Sequence, residues 1–333
     1  MTTSNGADRS FGEINLPKLG FGAGPFGGAY HAISEEECHA AVERSLDLGI
    51  NYFDTSPYYG DSEVVLGEGL KKVQKKYPRS TYYISTKIGR YGYFKKDFDY
   101  SGQRVVDSVK ESMRRLNTDY LDIVFCHDVE FVNIDQIIQE TLPQLFQLKK
   151  EGKIRWVGIS GYPLDTLLNI ARIQSERNQP LDVVLSYCHN TLQNTLYRDY
   201  QPEFIKAGVG HLIDASPLSM GLFRDGVTPE WHPGSQEMKE AVNKAKEICH
   251  THGVCISDIA SKYSFEYQGL TSTVIGCCKP EEIQRAYEQF TEVQRRINHN
   301  ILKPEAESKA LESILELLKP HRNYSWPSPP SDA

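Results

Sequence analysis

Four polar residues in separate stretches of the chain are of types that together suit proton exchange with a substrate. Asp54 and Tyr59 lie in INYFDTSPYYGDSE, Lys87 ends TYYISTK, and His127 follows the apolar run YLDIVFC. A phenol has an ordinary pKa of about 10, so it exchanges protons near neutrality only with help. We expect Lys87, held charged by Asp54, to lower the pKa of Tyr59, and His127 to orient a substrate oxygen. Such a group suits proton transfer coupled to hydride transfer at a carbonyl or carbinol carbon.

Each of the four residues also fits a purely structural role when it is taken alone. Asp54 could cap a turn, Tyr59 could be a packed aromatic, Lys87 an exposed amine and His127 a loop histidine whose hydrogen bonds are satisfied. All four stand at or just after the end of a β-rich run, and this shared context favours the chemical interpretation.

Strand-like runs alternate with amphipathic helical patterns along the whole chain. The runs are KLGFG, NYFDT, YYIST, YLDIVFC, IRWVGIS, LDVVLS, GHLIDAS and STVIG. In the helical stretch SEEECHAAVERSLDLG, Ser34 is a candidate N-cap, Glu37 takes the capping-box position and Gly49 follows the end. DQIIQETLPQLFQLKKEG and ESKALESILELLKP read as further helices. Eight strand–helix units without a pattern break predict an α/β fold of one domain, a (β/α)8 barrel with its active site at the carboxyl ends of the strands.

Composition limits the classes of partner. The chain has 333 residues and a net charge of −7, which argues against nucleic-acid binding. No apolar run approaches the length of a membrane span, and the polar start MTTSNGADRS does not resemble a secretory signal, so we expect a cytoplasmic protein. The seven cysteines are expected to be reduced thiols, and CHTHGVC is interpreted as a helix end rather than a metal site.

The stretch Gly22-Ala23-Gly24-Pro25-Phe26-Gly27 satisfies the G-x-G-x-x-G pattern of doubly wound dinucleotide-binding domains. In such a domain a helix opens at this loop. Here Pro25 interrupts the loop, and the next helix signal waits until Ser34. We therefore interpret Gly22, Ala23 and Gly24 as residues that let the loop after the first strand pass close to a cofactor or substrate.

The tetrad motifs DTSPYYGDSE, STK and FCHDVE resemble those of the aldo-keto reductases, and the similarity continues through KIRWVGISGYP, DASPLSMGLF and STVIGCCKPEEI. Within that superfamily, HDVEFV, GISGYP, VVLSYCHN and SPLSMGL resemble the branch of D-arabinose and L-galactose dehydrogenases. The resemblance implies a barrel over residues 11–300, after a disordered start at 1–10. It also implies that the helix and tail of residues 301–333 fold over the active-site mouth.

The resemblance also implies a nicotinamide cofactor, NAD in preference to NADP. Ser160 matches a position that binds the nicotinamide amide, whereas Gly161 and Ser186 replace the more usual asparagine and glutamine. Glu282 stands where NADP-preferring relatives carry an arginine, and a carboxylate would repel a 2′-phosphate. The remaining expected contacts line the pyrophosphate and the adenosine: Ser216, Leu218, Gly221, Leu222, Gly276, Cys278 and Ala286.

The expected activity is oxidation of an aldose at C1 to its lactone, with Tyr59 as the general acid/base. Two alternatives stay open: a reductase of aldehydes or ketones with the same tetrad, and a regulatory subunit that keeps the fold. The oligomeric state cannot be read from the sequence. Six residues are expected to contact the substrate or close over it: Phe26, Tyr30, Tyr58, Asp128, Glu130 and Trp326.

Overall fold

Parallel pairing continues from each strand to the next and then from the eighth back to the first, so the sheet closes on itself. The computed structural model describes residues 13–29 and 32–329, and over these residues the predicted (β/α)8 barrel is confirmed. At the closing seam Leu19 pairs with Thr273 and Gly22 pairs with Gly276. The strands are β1 Leu19–Gly22, β2 Tyr52–Asp54, β3 Tyr83–Ile88, β4 Leu121–Cys126, β5 Ile154–Gly161, β6 Val183–Tyr187, β7 His211–Ala215 and β8 Ser272–Gly276. Each overlaps one of the predicted runs.

The helices form the outer layer of the barrel. The first begins as predicted, because Ser34 Oγ accepts a hydrogen bond from the backbone N–H of Glu37 at 3.4 Å. The α-helices of the described ranges are α1 Glu35–Asp47, α2 Ser62–Val73, α3 Gly102–Arg115, α4 Ile134–Gln136, α5 Leu142–Lys150, α6 Leu164–Glu176, α7 Leu196–Lys206, α8 Gln236–Thr251, α9 Ile256–Phe265, α10 Pro280–His299 and α11 Glu305–Leu318.

One predicted helix is interrupted. The stretch DQIIQETLPQLFQLKKEG contains α4, a π-helical turn at Ile137–Thr141, and then α5. Pro143 has no N–H to donate to the carbonyl four residues earlier, so the regular hydrogen-bond ladder cannot run through it. The prediction of one continuous α-helix was therefore wrong at this point.

Alternate side chains of the strands point into the barrel and fill it. Phe125, Leu185 and Val274 belong to this inner cluster, which Ile14 and Leu16 of the segment before β1 also join. Side chains of the opposite parity pack against the helices in a larger cluster. The filled interior leaves the strand ends as the place where polar side chains can gather.

Near the starts of β4 and β6, buried or half-buried carboxylates bind neighbouring strands. Asp122 Oδ2 accepts from the backbone N–H of Ile84 at 2.8 Å and from Arg79 Nη2 at 2.5 Å, and its Oδ1 accepts from Arg155 Nη1 at 2.7 Å. Asp182, just before β6, repeats this arrangement with the N–H of Val157 and with a lysine. These contacts join adjacent strands at the end of the barrel opposite to the four tetrad residues.

Charged residues fasten α11 to the barrel. Lys262 of α9 contacts Glu292 at 2.7 Å and Glu307 at 2.5 Å, and Arg296 of α10 contacts Glu307 at 2.7 Å. The segment after α11 then returns over the loops: Gln193 Nε2 donates to the carbonyl oxygen of Tyr324 at 2.9 Å. Among the described helices, none is both long and apolar enough to cross a membrane.

Candidate active site

The carboxyl ends of β2, β3 and β4 bring the four tetrad residues together. Asp54 is the last residue of β2, Lys87 is the fifth of six in β3, and His127 directly follows β4. Lys87 Nζ donates to Asp54 Oδ2 at 2.6 Å and to the carbonyl oxygen of Thr55 at 2.8 Å. Lys87 is only 2% exposed, so its charge is held by protein groups rather than by water.

Tyr59 lies in the loop between β2 and α2, beside the other three residues. The Lys87 ammonium nitrogen is 4.9 Å from the centre of the Tyr59 ring. The Tyr59 and His127 rings meet edge to face, with centroids 5.8 Å apart. The phenol is thus enclosed by an ammonium and an imidazole, and both could act on an oxygen bound at its hydroxyl.

A second layer holds Asp54, and the sequence analysis did not single it out. Ser85 Oγ donates to Asp54 Oδ1 at 2.6 Å, and the Tyr52 hydroxyl lies 2.9 Å from Ser85 Oγ. Since the Ser85 proton goes to the carboxylate, Tyr52 must be the donor of the second bond. Ser85 stands two residues before Lys87 on β3, so the strand period of two could have identified it.

The pKa of Tyr59 is shifted upward, whereas we expected from the sequence that it would be lowered. Burial, followed by the negative charges of Asp54 and Asp128, raises the pKa of the phenol well above 10. Burial disfavours the phenolate, and Asp54 offsets the positive charge of Lys87. The net effect of the surroundings on the pKa of Tyr59 is therefore upward, not the lowering that we expected from Lys87, and at neutral pH the phenol is protonated.

His127 is neutral and has a defined orientation. Burial lowers the pKa of its imidazole to about 3. Nδ1 lies 3.2 Å from Ser56 Oγ, and Nε2 lies 3.6 Å from Asp128 Oδ2. A carboxylate favours an N–H over a lone pair, so the favoured tautomer carries its proton on Nε2 and accepts from the Ser56 hydroxyl at Nδ1. His127 can therefore donate to a substrate oxygen.

Arg90, also not singled out from the sequence, adds a cation to the mouth. It follows β3, and its guanidinium carbon lies 3.8 Å from the centre of the Tyr58 ring. Its Nη1 donates to Asp128 Oδ2 at 2.5 Å. Tyr58 in turn meets His127 edge to face, with centroids 5.8 Å apart. Tyr58 and Asp128, which we expected to contact the substrate, thus lie next to the tetrad, and Arg90 joins them. The position of Arg90 just after a strand could have identified it from the sequence.

Glu130 contacts the C-terminal tail, and Trp326 is the residue of that tail that packs on the loop after β5. Glu130 Oε1 accepts from the backbone N–H of Tyr162 at 3.1 Å and from Ser328 Oγ at 2.7 Å. Burial, aided by the charge of Asp128, raises the pKa of Glu130 to about 7. Trp326 is 4% exposed and stacks on Tyr162, with centroids 4.7 Å apart. The Ser328–Glu130 hydrogen bond and the stacking of Trp326 on Tyr162 therefore attach the tail to the loops after β4 and β5.

Gly161 is the position where the resemblance led us to expect an asparagine. A methyl group built on it would lie 2.4 Å from Glu130 Oε2. That carboxylate oxygen is buried and has no hydrogen-bond partner in the described part of the chain. Glu130 thus occupies the space that a side chain at position 161 would need.

The glycine loop after β1 packs on the tyrosine loop. Gly24–Gly27 form a short 3-10 helix, and α1 starts only at Glu35, as the interpretation against a doubly wound domain required. A methyl group on Gly24 would make ordinary contact with the Tyr59 ring at 3.7 Å. Phe26 is 1% exposed and packs edge-on against Phe21, so its ring is part of the core. Tyr30 lies outside the described residues.

The expected cofactor residues lie along the ends of β5 to β8. Ser160 and Ser186 are buried, and Ser186 Oγ is 2.9 Å from His189 Nδ1. In the loop after β7 the backbone is unusual, since four residues have positive φ: Ser216, Ser219, Met220 and Gly221. Non-glycine residues in this region store strain, which clusters at ligand sites. Leu222 and Ala286 are buried in the core, and Leu218 is half-buried beside it.

Glu282 closes the start of α10. Its Oε2 accepts from the backbone N–H groups of Cys278 at 2.7 Å and Lys279 at 3.2 Å. The Lys279 ammonium faces Glu37 at 3.4 Å, and Arg285 Nε donates to Asp258 Oδ1 at 2.7 Å. The carboxylate thus covers the two backbone donors that directly precede the helix, and both nearby cations have acidic partners.

The expected cofactor residues are of types that fit a nicotinamide dinucleotide. No group of three His, Cys, Asp or Glu side chains among them is arranged to hold an ion, and the seven cysteines are free thiols. The loop after β7 has a strained backbone, and Gly276 is exposed, with a methyl group built on it meeting Pro25 at 3.1 Å, so backbone atoms at both places are open to close approach by an elongated cofactor. The hydrogen-bond donors to it would be Ser160, Ser186 and backbone N–H groups.

Comparison with known proteins gives a consistent result. The family model described as "Aldo/keto reductase family" matches residues 18–297. L-galactose dehydrogenase of Arabidopsis thaliana is 40% identical over 95% of this chain and 94% of its own, and D-arabinose 1-dehydrogenase of Saccharomyces cerevisiae is 38% identical over 86% of each. The fold matches an aldo-keto reductase of Bacillus halodurans in its holo form, with a TM-score of 0.66 and 22% identity over 90% of this chain and 92% of that one. The chain belongs to the aldo/keto reductase family of oxidoreductases.

Proposed function

We propose that this protein oxidises an aldose of the D-arabinose, L-galactose or L-fucose type at C1 to its aldonolactone, with NAD as oxidant. The observation that carries the proposal is the set of Tyr59, Lys87, Asp54 and His127 beside the carboxylate of Asp128. A mouth with this carboxylate suits a polyol better than an apolar substrate. The two curated relatives named above, both aldose dehydrogenases, support the choice.

The chain's own groups would move the proton. Tyr59 takes the proton of the C1 hydroxyl while the hydride leaves C1, and His127 donates from Nε2 to the same oxygen. Lys87 and Asp54 hold the local charge and fix the tyrosine loop. A bound nicotinamide supplies the hydride acceptor. Because burial raises the pKa of Tyr59, oxidation should accelerate as the pH rises.

The surroundings of Glu282 support NAD over NADP. A 2′-phosphate at the start of α10 would meet a carboxylate in place of free backbone donors. Lys279 and Arg285 could otherwise attract a phosphate, but each is paired with an acidic side chain. A 2′-hydroxyl has no such conflict, since it can donate to a carboxylate.

Carbonyl reduction is the second candidate, and one observation favours it. The pKa of Tyr59 is raised, so the phenol is protonated at neutral pH and ready to donate to a carbonyl oxygen. The direction that dominates in the cell then depends on cofactor and substrate concentrations. The same residues serve both directions.

The test is a substrate panel with purified protein. D-Arabinose, L-galactose and L-fucose share their configuration at C2 to C4, whereas D-glucose is inverted at C2 and C3. We expect oxidation of the first three with NAD and a kcat/KM for glucose at least about tenfold lower. If none of the three is oxidised, or if glucose equals them while simple aldehydes are reduced well with NADH, the carbonyl reductase takes the place of the aldose dehydrogenase.

A further inference from the structure

Asp128 carries an acceptor that the protein does not use. The residue is 2% exposed, and its Oδ1 has no hydrogen-bond partner among the described residues. An unpartnered buried carboxylate oxygen is costly, since the desolvated charge is not compensated on that side. Its backbone is also held in the left-handed region, at φ 48°, which a non-glycine residue adopts at a cost. Such features are typical of a group kept for a ligand.

The Asp128 carboxylate lies close to the place where the reacting oxygen would bind. Asp128 Oδ2 is 3.6 Å from Nε2 of His127, the nitrogen that donates to the oxygen at C1. A hydroxyl on the neighbouring carbon lies about a hydrogen-bond length from that oxygen. A hydroxyl at that position is within reach of the carboxylate when the C1 oxygen is bound to the imidazole. His127 is enclosed almost as fully, at 4% exposed, so both side chains face protein rather than bulk water.

Arg90 fixes the carboxylate in this position. Its Nη1 donates to Oδ2 at 2.5 Å, which leaves Oδ1 as the open acceptor. The guanidinium carbon lies 3.8 Å from the centre of the Tyr58 ring and 5.0 Å from that of Phe131. Aromatic faces on a planar cation restrict its rotation and keep water away from the ion pair.

We infer that Asp128, positioned by Arg90, binds the hydroxyl on the carbon next to the reacting carbon. The site thereby selects 2-hydroxy carbonyl compounds and their cyclic hemiacetals. This inference rests on the proposed function and adds Asp128 as the group that binds the C2 hydroxyl. A substrate without that hydroxyl leaves Oδ1 buried and unpaired, and such omissions discriminate strongly.

A purely structural ion pair predicts a different result. If Arg90 and Asp128 only joined the loops after β3 and β4, their loss would slow every substrate alike. If they read the C2 hydroxyl, their loss would slow the hydroxylated substrate more than its deoxy analogue. The informative quantity is therefore the ratio of kcat/KM values for a matched pair of substrates.

The experiment compares D-arabinose with 2-deoxy-D-ribose, which is D-arabinose without its C2 hydroxyl, in the presence of NAD. We expect the wild-type protein to prefer D-arabinose by about tenfold or more. The double variant Arg90→Gln/Asp128→Asn removes both charges without stranding either partner, and asparagine tolerates the left-handed backbone. In it the ratio should fall to within about threefold of unity. Arg90→Lys keeps the charge and should lower the ratio less.

Two controls make the result decisive. Arg172→Gln/Glu203→Gln removes an exposed ion pair between α6 and α7, at 2.8 Å, and should leave the ratio unchanged. Reduction of lactaldehyde and propanal with NADH applies the same comparison to the carbonyl reductase. Failure to oxidise any aldose refutes the proposed function, while the lactaldehyde ratio still tests Asp128. An equal ratio in wild type and double variant overturns the inference in either direction of reaction.

Discussion

The α-carbon of Gly27 lies against the main chain of Tyr59: a methyl group built on it would stand 2.2 Å from the Tyr59 carbonyl oxygen and 2.7 Å from the carbonyl carbon. Backbone atoms cannot rotate out of the way as a flexible side chain can. The loop after β1 therefore fixes the height at which the tyrosine loop sits over the barrel. The position of the phenol depends on a residue that has no side chain to take part in the chemistry.

Gly27→Ala should displace the Tyr59 loop and lower kcat by about tenfold or more, because catalysis is sensitive to small misplacements of reacting groups. The far-ultraviolet circular dichroism spectrum should stay that of the wild type. Gly226→Ala is the control, since its methyl group would meet only a side chain, at 3.5 Å. Wild-type turnover in Gly27→Ala would show that the loop adapts without cost.

Tyr59→Phe should remove nearly all turnover and leave the fold and NAD binding intact, because only the hydroxyl exchanges the substrate proton. In the wild type, log kcat/KM for oxidation should rise with pH through neutrality, since the raised pKa keeps the phenol protonated there. Steady-state rates across the pH range test both statements. More than about a tenth of the wild-type kcat in Tyr59→Phe would contradict the general acid/base role.

Glu282→Gln should improve kcat/KM for NADP relative to NAD by about three- to tenfold, because it removes a negative charge near the 2′-position. Glutamine can still accept from the backbone N–H groups at the start of α10, so stability should be kept. Glu282→Arg should shift the preference further, because a guanidinium pairs with a phosphate, at a cost of about 1 kcal/mol for the lost cap.

The neighbouring exposed residue offers a matched control for this cofactor prediction. Glu281→Gln removes the same charge from the same first turn of α10. It should change the preference less, because its carboxylate does not cover the backbone donors. Equal effects of the two variants would point to the general field of the helix start rather than to Glu282.

Much of the fold follows from residue patterns, and the limits have physical causes. The eight strands are visible because buried parallel strands read as apolar runs, and the tetrad follows because polar residues end those runs. The interruption before α5 was missed because apolar periodicity continues through Pro143. The raised pKa of Tyr59 was missed because it depends on burial, which spacing does not report. The position of Arg90 after β3 could have been noticed, but its role depends on three aromatic rings that surround the guanidinium only in the folded protein.

Glu130→Gln should stabilise the protein at neutral and higher pH. Because the pKa of Glu130 is raised from the usual 4.5 to about 7, the folded protein binds a proton there that the unfolded chain has lost within this window. The contribution of Glu130 to stability therefore falls as the pH rises from 4.5 to 7. Urea denaturation gives the difference in free energy of unfolding between the variant and the wild type. This difference should be about 1–3 kcal/mol more favourable to the variant above pH 7 than below pH 4.5. A pH-independent difference would refute the raised pKa.

Asp122→Ala should destabilise the protein by about 3–5 kcal/mol, because it removes the carboxylate from two largely buried guanidinium groups and takes away the acceptor of the Ile84 backbone N–H. Turnover per folded molecule should be unchanged, since the tetrad lies at the other end of the strands. Denaturant midpoints and active-site-normalised rates test the two parts. Glu176→Ala on the exposed face of α6 is the control and should stay within about 0.5 kcal/mol of wild type.

The carboxylates near the starts of β4 and β6 have a consequence for anyone who redesigns this barrel. Asp122 and Asp182 bond to backbone and cationic groups at the end of the strands opposite to the tetrad, and none of these groups takes part in the chemistry. Thermostabilising changes can therefore be screened at that end by heat challenge alone, and substrate selection at Arg90 and Asp128 can be varied separately at the other. Gains in stability from changes at the first end should then combine additively with gains in selectivity from changes at the other, because the two sets of residues share no partner.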